Sequence, residues 1–409
     1  MKRIKKFIKE LIGDKATKLF VHLKYGLRNL PCALLPMNNE IIFESHPDFT
    51  CNSYALYQYM LRQGVNKKYK LTWLVREPDK YTADPTKNLD YLPLFPKTVG
   101  DKIKTYIRCN RAKAVFSCHT HVSSWCVSRK QINVFLDHGS HLKSVLAQGK
   151  RFPVHCGYLN CQSDFFVKYN VEQYTVEKDQ VLSFGLPRND LLFQNTGSLA
   201  RLVDNRESFA KVILWAPTFR RHHGKERVDC DVGYPLGLPI LYSEEDARKL
   251  NAVLADHKVL LIIKPHPASD MSVIKKLQLS NVLFLYNSDL EAAQVQLNEL
   301  LAQTDAMITD YSSIYYDYLL LDRPIGLTLD DYQQYTDQKG FVFEDPLDIL
   351  KGDYLYHLED LCRFAVSVAS GEDRFAAERN SVKNLVHDYQ DDRSSQRVCD
   401  FLLEKLGEK

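Results

Sequence analysis

Short apolar runs recur along the chain, separated by stretches of helical length, and this alternation constrains the fold more than any other feature. Glu40–Glu44 (EIIFE), Leu71–Val75, Lys113–Ser117 and Ile132–Leu136 read as strands, with a helix over Asn52–Gln63. Asp164–Val167 and Gln180–Phe184 extend the series. Short buried strands with intervening helices imply a parallel sheet covered on both faces. After the polar stretch Gln194–Arg206 the alternation restarts. Val212–Ala216, Val259–Lys264, Val282–Tyr286 and Ala306–Thr309 read as strands, and Glu291–Gln303 as one helix. Leu358, Leu361 and Phe364, then Val398, Phe401 and Leu402, fall at helical spacing near the end. The pattern predicts an α/β chain of two Rossmann-like halves joined near residues 190–206. Its ligand belongs in the cleft between them, at the carboxyl ends of strands.

Charge adds a second constraint. The net charge of +3 gives no basis for a nucleic-acid surface, but it is unevenly spread. Residues 1–30 hold nine basic and two acidic side chains, +7, which leaves −4 for the remaining 379 residues. In that segment Ile4, Phe7, Ile8, Leu11 and Ile12, then Leu19, Leu23 and Leu27, recur at three- and four-residue steps, with lysines on the opposite face. A basic amphipathic helix of this kind suits the headgroup layer of an anionic membrane; the plainer alternative is a terminal helix docked on the core. No run approaches the ~18 apolar residues of a spanning helix, and lysines interrupt any signal-like core. The ten cysteines include no CxxC pair and read as reduced thiols. The expected place is the cytoplasm.

The residues that can carry chemistry follow the apolar runs. Asp137-His138-Gly139-Ser140 follows INVFL and presents an imidazole beside a flexible backbone, although a satisfied loop histidine has the same spacing. Ala216-Pro217-Thr218-Phe219-Arg220-Arg221 follows VILWA; its guanidiniums make either an anion clamp or an ordinary basic turn. In Lys264-Pro265-His266-Pro267 two prolines fix a histidine at a strand end. Thr309-Asp310-Tyr311-Ser312-Ser313 leads from a strand into a helix, where hydroxyls and backbone N–H groups suit either a phosphate or a plain helix cap. His119-x-His121 has no third ligand at a suitable spacing, so no metal or cofactor is expected.

Together with FESHPDFTCNSYALYQYM, LDHGSHLK, FGLPRNDLL, APTFR, KPHP, ITDYSSIYYDYLLLDRPIGL and HDYQDDRSSQRV, these motifs give a chain that resembles the CDP-glycerol glycerophosphotransferases of teichoic acid and capsule synthesis over about residues 40–405. The resemblance implies a GT-B-like fold, two lobes facing a central cleft. It divides the chain into the basic helix 1–30, an acceptor lobe 38–195, a CDP-donor lobe 200–350, and helices over 351–409 packing across the lobes. It implies transfer of a polyol phosphate, foremost glycerol phosphate, from a CDP-polyol to a lipid-linked saccharide or polyol-phosphate acceptor. CMP leaves, and the reaction runs peripherally at the cytoplasmic face of the membrane. His138 then corresponds to the general base and His266 to a histidine beside the donor diphosphate. Ser312 and Ser313 would bind phosphate oxygens, with Arg220 and Asp310 in the same donor motifs and Asp317, Gly139 and Ser140 in support. Three departures stand out: Ser140-His141 for Thr-Pro, Lys264 for an arginine, and Gly-Leu-Pro-Arg for Gly-Tyr-Pro-Arg. Two other readings share the cleft: a nucleotide-sugar glycosyltransferase, and a catalytically silent membrane adaptor.

Overall fold

In the computed structural model the alternation resolves into two parallel sheets. Residues 35–119, 130–144, 157–174, 176–218, 220, 230, 232–266, 269 and 271–408 are described. The basic segment 1–30 and His121 lie outside the described residues. The first sheet holds β1 (Asn38–Glu44), β2 (Lys70–Val75), β3 (Leu89–Pro93), β4 (Ala112–Ser117), β5 (Ile132–Phe135), β6 (Tyr158–Cys161) and β7 (Val181–Ser183) in the order β3-β2-β1-β4-β5-β6-β7. The second holds β8 (Lys211–Trp215), β9 (Val259–Ile263), β10 (Val282–Phe284), β11 (Ala306–Thr309), β12 (Ile325–Thr328) and β13 (Asp353–Leu355) in the order β10-β9-β8-β11-β12-β13. Strand pairs run parallel throughout, as between β1 and β4 and between β8 and β11. The chain is therefore a two-lobed GT-B-like α/β protein. Each sheet reverses its strand order once, between β1 and β4 and between β8 and β11, and ligands of open α/β sheets bind beside that reversal.

Burial explains why these strands stand out in the sequence. All five residues of β9 (VLLII) are buried, and so are the last five of β1. The expected strand over Asp164–Val167 is corrected by the structure: Asp164–Phe166 is a 3-10 turn leading into the helix Val167–Gln173. The sheet position goes instead to β6 (YLNC), whose buried Asn160 donates to the Gly185 carbonyl at 2.8 Å. Phe166 meanwhile packs edge-on to Tyr316 of the other lobe, with ring centroids 5.1 Å apart. The single helix expected over Glu291–Gln303 is two short ones, Asn287–Ala292 and Leu297–Leu301. Gln294 between them takes a left-handed φ of 51°, and Gln296 starts the second by donating its N–H to Glu299 at 2.7 Å. β3, β12 and β13 are additional strands. β3 and β13 lie at sheet edges and carry Asp90 and Asp353, each paired with an arginine, so their apolar runs are short.

The C-terminal helices cross back over both lobes. Leu358–Ser370 packs Phe364 and Val368 with Trp215 and Ile263 of the second lobe. Ala376–Val386 adds Val382 and Val386 to a cluster that includes Leu142 and Phe166 of the first lobe and Tyr316 of the second. Ser394–Lys405 then places Val398, Cys399 and Leu402 in the core of the first lobe, against Ile41, Phe43 and Trp73. Its first turn is fastened by Asp190, which accepts from the N–H groups of Ser394 at 2.9 Å and Ser395 at 2.8 Å. Leu402 is 0% exposed. Leu402→Ala is expected to lower the unfolding free energy by about 2–5 kcal/mol in urea titration. An unchanged midpoint would place the last helix outside the core.

Candidate active site

The motif residues collect at the carboxyl ends of strands from both sheets. His138 follows β5; Thr218 and Arg220 follow β8; Lys264 and His266 follow β9; and Asp310, Ser312 and Ser313 follow β11. A cavity of about 330 Å³ lies between the lobes, and His138, His266, Ser312, Ser313 and Asp317 all line it. Lys143, Arg188, Thr218, Lys264 and Asn287 complete its polar wall. A second cavity of about 660 Å³ adjoins it, sharing Arg188, Lys264, Asn287, Leu297 and Asn298. Ser313 precedes the helix Ile314–Leu319 but makes no capping hydrogen bond with its side chain. Ser313 thus lines the cavity without spending its side chain on the helix cap.

His138 is held by its neighbour. Asp137 has a left-handed φ of 56°, and its carboxylate accepts from His138 Nδ1 at 3.1 Å and from the His138 N–H at 2.7 Å. The other carboxylate oxygen accepts from the Tyr174 hydroxyl at 2.8 Å. Asn52 fixes the turn by donating to the carbonyls of Leu136 at 3.1 Å and Asp137 at 3.0 Å. Burial alone drives the imidazole toward neutrality, but the hydrogen bond and charge of Asp137 outweigh it and raise His138 to about 9. The side chain is 63% exposed to the cleft, so solvent screening trims that shift. Burial pushes Asp137 upward in turn, and His138 pulls it down to about 2. With Nδ1–H tied to Asp137, Nε2 is the nitrogen left to exchange a proton. A general base acts as the neutral imidazole; the carboxylate beside His138 favours the imidazolium in the unliganded protein.

Arg188, from the GLPRND turn, joins the lobes at this point. Its Nη1 donates to the His138 carbonyl and its Nη2 pairs with Asp317 at 2.8 Å across the cleft. Gly139 lets the loops meet: at its φ of 145°, a Cβ would fall 2.5 Å from Ser313 Oγ and 3.2 Å from Arg188 Nη2. Ser140 is turned away, donating to Gln162 at 3.0 Å.

Arg220 and Asp310 are placed differently from the other predicted residues. Neither lines the cavity. Asp310 is 0% exposed and accepts from the Thr218 N–H at 3.0 Å, the Thr218 hydroxyl at 2.8 Å and Arg220 at 2.9 Å. Arg220 also pairs with the buried Asp331 and lies over the ring of Tyr335 at 4.9 Å. The pair thereby bolts the loop after β8 to the loop after β11, and Thr218 rather than Arg220 reaches the cavity. Arg188, Lys143 and Lys264 escaped the reading of the sequence as site residues. Arg188 and Lys264 lay inside quoted motifs; Lys143 stood at the end of LDHGSHLK, with no local pattern to single it out. Lys264 donates to Asn287 at 2.8 Å, and burial lowers its pKa to about 8. Among the described residues, no group of three or more His, Cys, Asp or Glu is placed to hold a metal ion.

A sequence model of the CDP-glycerol:poly(glycerophosphate) glycerophosphotransferases matches residues 31–404. The chain belongs to this family. Its relatives include the teichoic acid ribitol-phosphate polymerase TarL of Staphylococcus aureus, 23% identical over 93% of this chain and 63% of TarL. They also include the teichoic acid glycerol-phosphate primase of Bacillus subtilis, 26% identical over 78% of this chain and 80% of the primase. The chain spans less than two thirds of the length of the ribitol-phosphate polymerases it matches. Among solved structures, that of the wall teichoic acid polymerase TagF superposes with a TM-score of 0.72 at 19% identity, covering 99% of this chain and 98% of that one. At that identity the likeness speaks for the fold, and the family membership rests on the sequence match. In this glycerophosphotransferase-family chain, Arg220→Met is expected to lower stability by about 3–5 kcal/mol, because Asp310 and Asp331 lose their buried counter-charge. Thermal or urea unfolding measures it, and a loss below ~1 kcal/mol would contradict the bolting role.

Proposed function

We propose that this protein transfers a polyol phosphate, foremost glycerol phosphate, from a CDP-polyol to a hydroxyl of a lipid-linked teichoic acid or capsule acceptor. One observation carries the reading: a single inter-lobe cavity gathers His138, Lys143 and Arg188 from the first lobe and Lys264, His266, Ser312 and Ser313 from the second. Lys264, Lys143 and Arg188 offer positive charge to a diphosphate, and His266, Ser312 and Ser313 offer hydrogen bonds. A diphosphate held this way needs electrostatic stabilisation more than proton donation, because CMP is already a good leaving group.

In this reading the acceptor oxygen attacks the phosphorus that bears the polyol. His138 Nε2 takes the hydroxyl proton while Asp137 steadies the imidazolium that forms. The bond from that phosphorus to the bridging oxygen breaks and CMP departs. Arg188 orients the His138 turn from behind, and the bolt between Asp310 and Arg220 fixes the donor-side loops. The glycosyltransferase alternative uses the same cleft with a nucleotide-sugar, so the donor decides between them.

Incubation of the purified chain with CDP-glycerol, CDP-ribitol or UDP-sugars and a lipid-linked acceptor is expected to release CMP with a CDP-polyol and no UDP. His138→Asn should lower kcat by roughly 10²–10⁴. A base must be deprotonated to act, so log kcat/KM should rise with unit slope as pH increases below about 8, where Lys264 begins to lose its charge, because Asp137 holds His138 above its ordinary value. UDP release, or full activity in His138→Asn, would overturn the proposal. The same reading assigns residues 1–30 to an anionic membrane surface. Removing them should abolish sedimentation with phosphatidylglycerol vesicles; undiminished sedimentation would assign the helix to the protein core.

A further inference from the structure

Two thiols sit under the cleft, and phosphoryl transfer gives neither of them a task. Cys51 opens the helix Cys51–Arg62 with a left-handed φ of 61° and forms part of the wall of the 660 Å³ cavity. Its sulfur accepts from Arg188 Nη1 at 3.5 Å, and Cys118 meets the first turn of the same helix. Cys118 follows β4 and is 0% exposed; its sulfur meets the Ser53 N–H at 3.4 Å and the Ser53 hydroxyl at 3.2 Å. The seven described cysteines are thiols rather than disulfides, and of these Cys51 alone borders either cleft cavity. Cys51, half-buried on the cavity wall, thus has the shielded Cys118 at the first turn of its own helix.

We propose that Cys51 is a site of reversible oxidation by a peroxide, resolved by Cys118 into a Cys51–Cys118 disulfide. The Cys51 thiolate attacks one peroxide oxygen; the S–O bond forms, the O–O bond breaks, and hydroxide leaves to be protonated to water. The Cys118 sulfur then attacks the sulfenic acid. The S–S bond forms, the S–O bond breaks, and the departing hydroxide takes the Cys118 proton as a second water. Two thiols are oxidised by two electrons in total, and one hydrogen peroxide is reduced to two waters.

The electrostatics around the pair favour this division of labour. Hydrogen bonding with Cys118, together with the charges of Arg188 and His138, overcomes burial and holds the Cys51 thiol well below its ordinary value. Burial pushes Cys118 well above its ordinary value, and Cys51 and Glu44 add to that. The groups facing the two sulfurs are therefore Arg188 and His138 on the cleft side and Glu44 and Ser53 on the sheet side. Oxidation would also remove the thiolate from beside Arg188, the guanidinium that holds the His138 carbonyl and pairs with Asp317.

The full-length reduced protein tests this without an activity assay. Native iodoacetamide labelling with peptide mapping should show the Cys51 rate rising far less steeply from pH 5 to pH 7 than that of an ordinary thiol, which rises ~100-fold over that range. Stoichiometric hydrogen peroxide at pH 6 should yield a Cys51–Cys118 cross-linked peptide that dithiothreitol abolishes. In Cys118→Ser, Cys51 should persist as a sulfenic acid that dimedone traps. A ~100-fold rise at Cys51, or peroxide treatment that leaves Cys51 and Cys118 reduced, would overturn the proposal. A stable Cys51 sulfenic acid in the unsubstituted chain would overturn the role of Cys118.

Discussion

The ion pair between Arg188 and Asp317 is the interaction on which the cleft depends. It crosses from one lobe to the other at 2.8 Å, with the two residues 9% and 2% exposed. Burial works against the guanidinium charge, but Asp317 and Cys51 outweigh it and keep Arg188 fully protonated. A buried pair of this kind contributes little net stability, yet removal of either partner strands the other charge. Its value here is geometric. The same guanidinium holds the His138 carbonyl, so the relative position of the lobes and the attitude of the histidine turn are set together.

Around that tie, the two sheets supply different chemistry from equivalent places. The strand-order reversal of the first sheet, between β1 and β4, lies beside the turn that carries Cys51 and the loop that carries Cys118. The reversal of the second, between β8 and β11, carries Thr218 and the Ser312–Ser313 pair. Asp310 and Arg220 act below the second surface, as a charged bolt that keeps two loops in register. This separates groups that can meet a ligand from groups that place them. The cavity wall is cationic because Lys264, Lys143 and Arg188 converge there from three separate segments. Among the described residues, Asp317 is the one carboxylate lining the same 330 Å³ cavity, and it is already engaged by Arg188.

Much of this was legible in the sequence because buried parallel strands leave an apolar signature that tolerates little interruption. β9 reads as VLLII, and the KPHP turn after it placed His266 at a strand end before any coordinates were needed. Two phenylalanines give Asp164–Val167 the look of a strand, while the true strand YLNC is interrupted by a buried asparagine. Arg220 illustrates the other limit. Its residue type suits a phosphate, but Asp310 and Asp331 lie 90 and 111 residues away in sequence and claim its guanidinium in the fold. Lys143 enters the cavity through tertiary packing alone, so local pattern could not find it. The raised His138 followed from an adjacent residue, Asp137, and was the one electrostatic feature open to earlier reading.

The central claim is that the inter-lobe cavity is built for the diphosphate of a CDP-polyol. Calorimetric titration of the full-length chain with CDP-glycerol and with cytidine tests it most directly, in the unsubstituted protein and in Lys264→Met. The account predicts that CDP-glycerol binds at least tenfold more tightly than cytidine, and that Lys264→Met removes most of this difference while leaving the weak cytidine affinity in place. Equal affinity for the two ligands, or a difference that survives Lys264→Met undiminished, would contradict it.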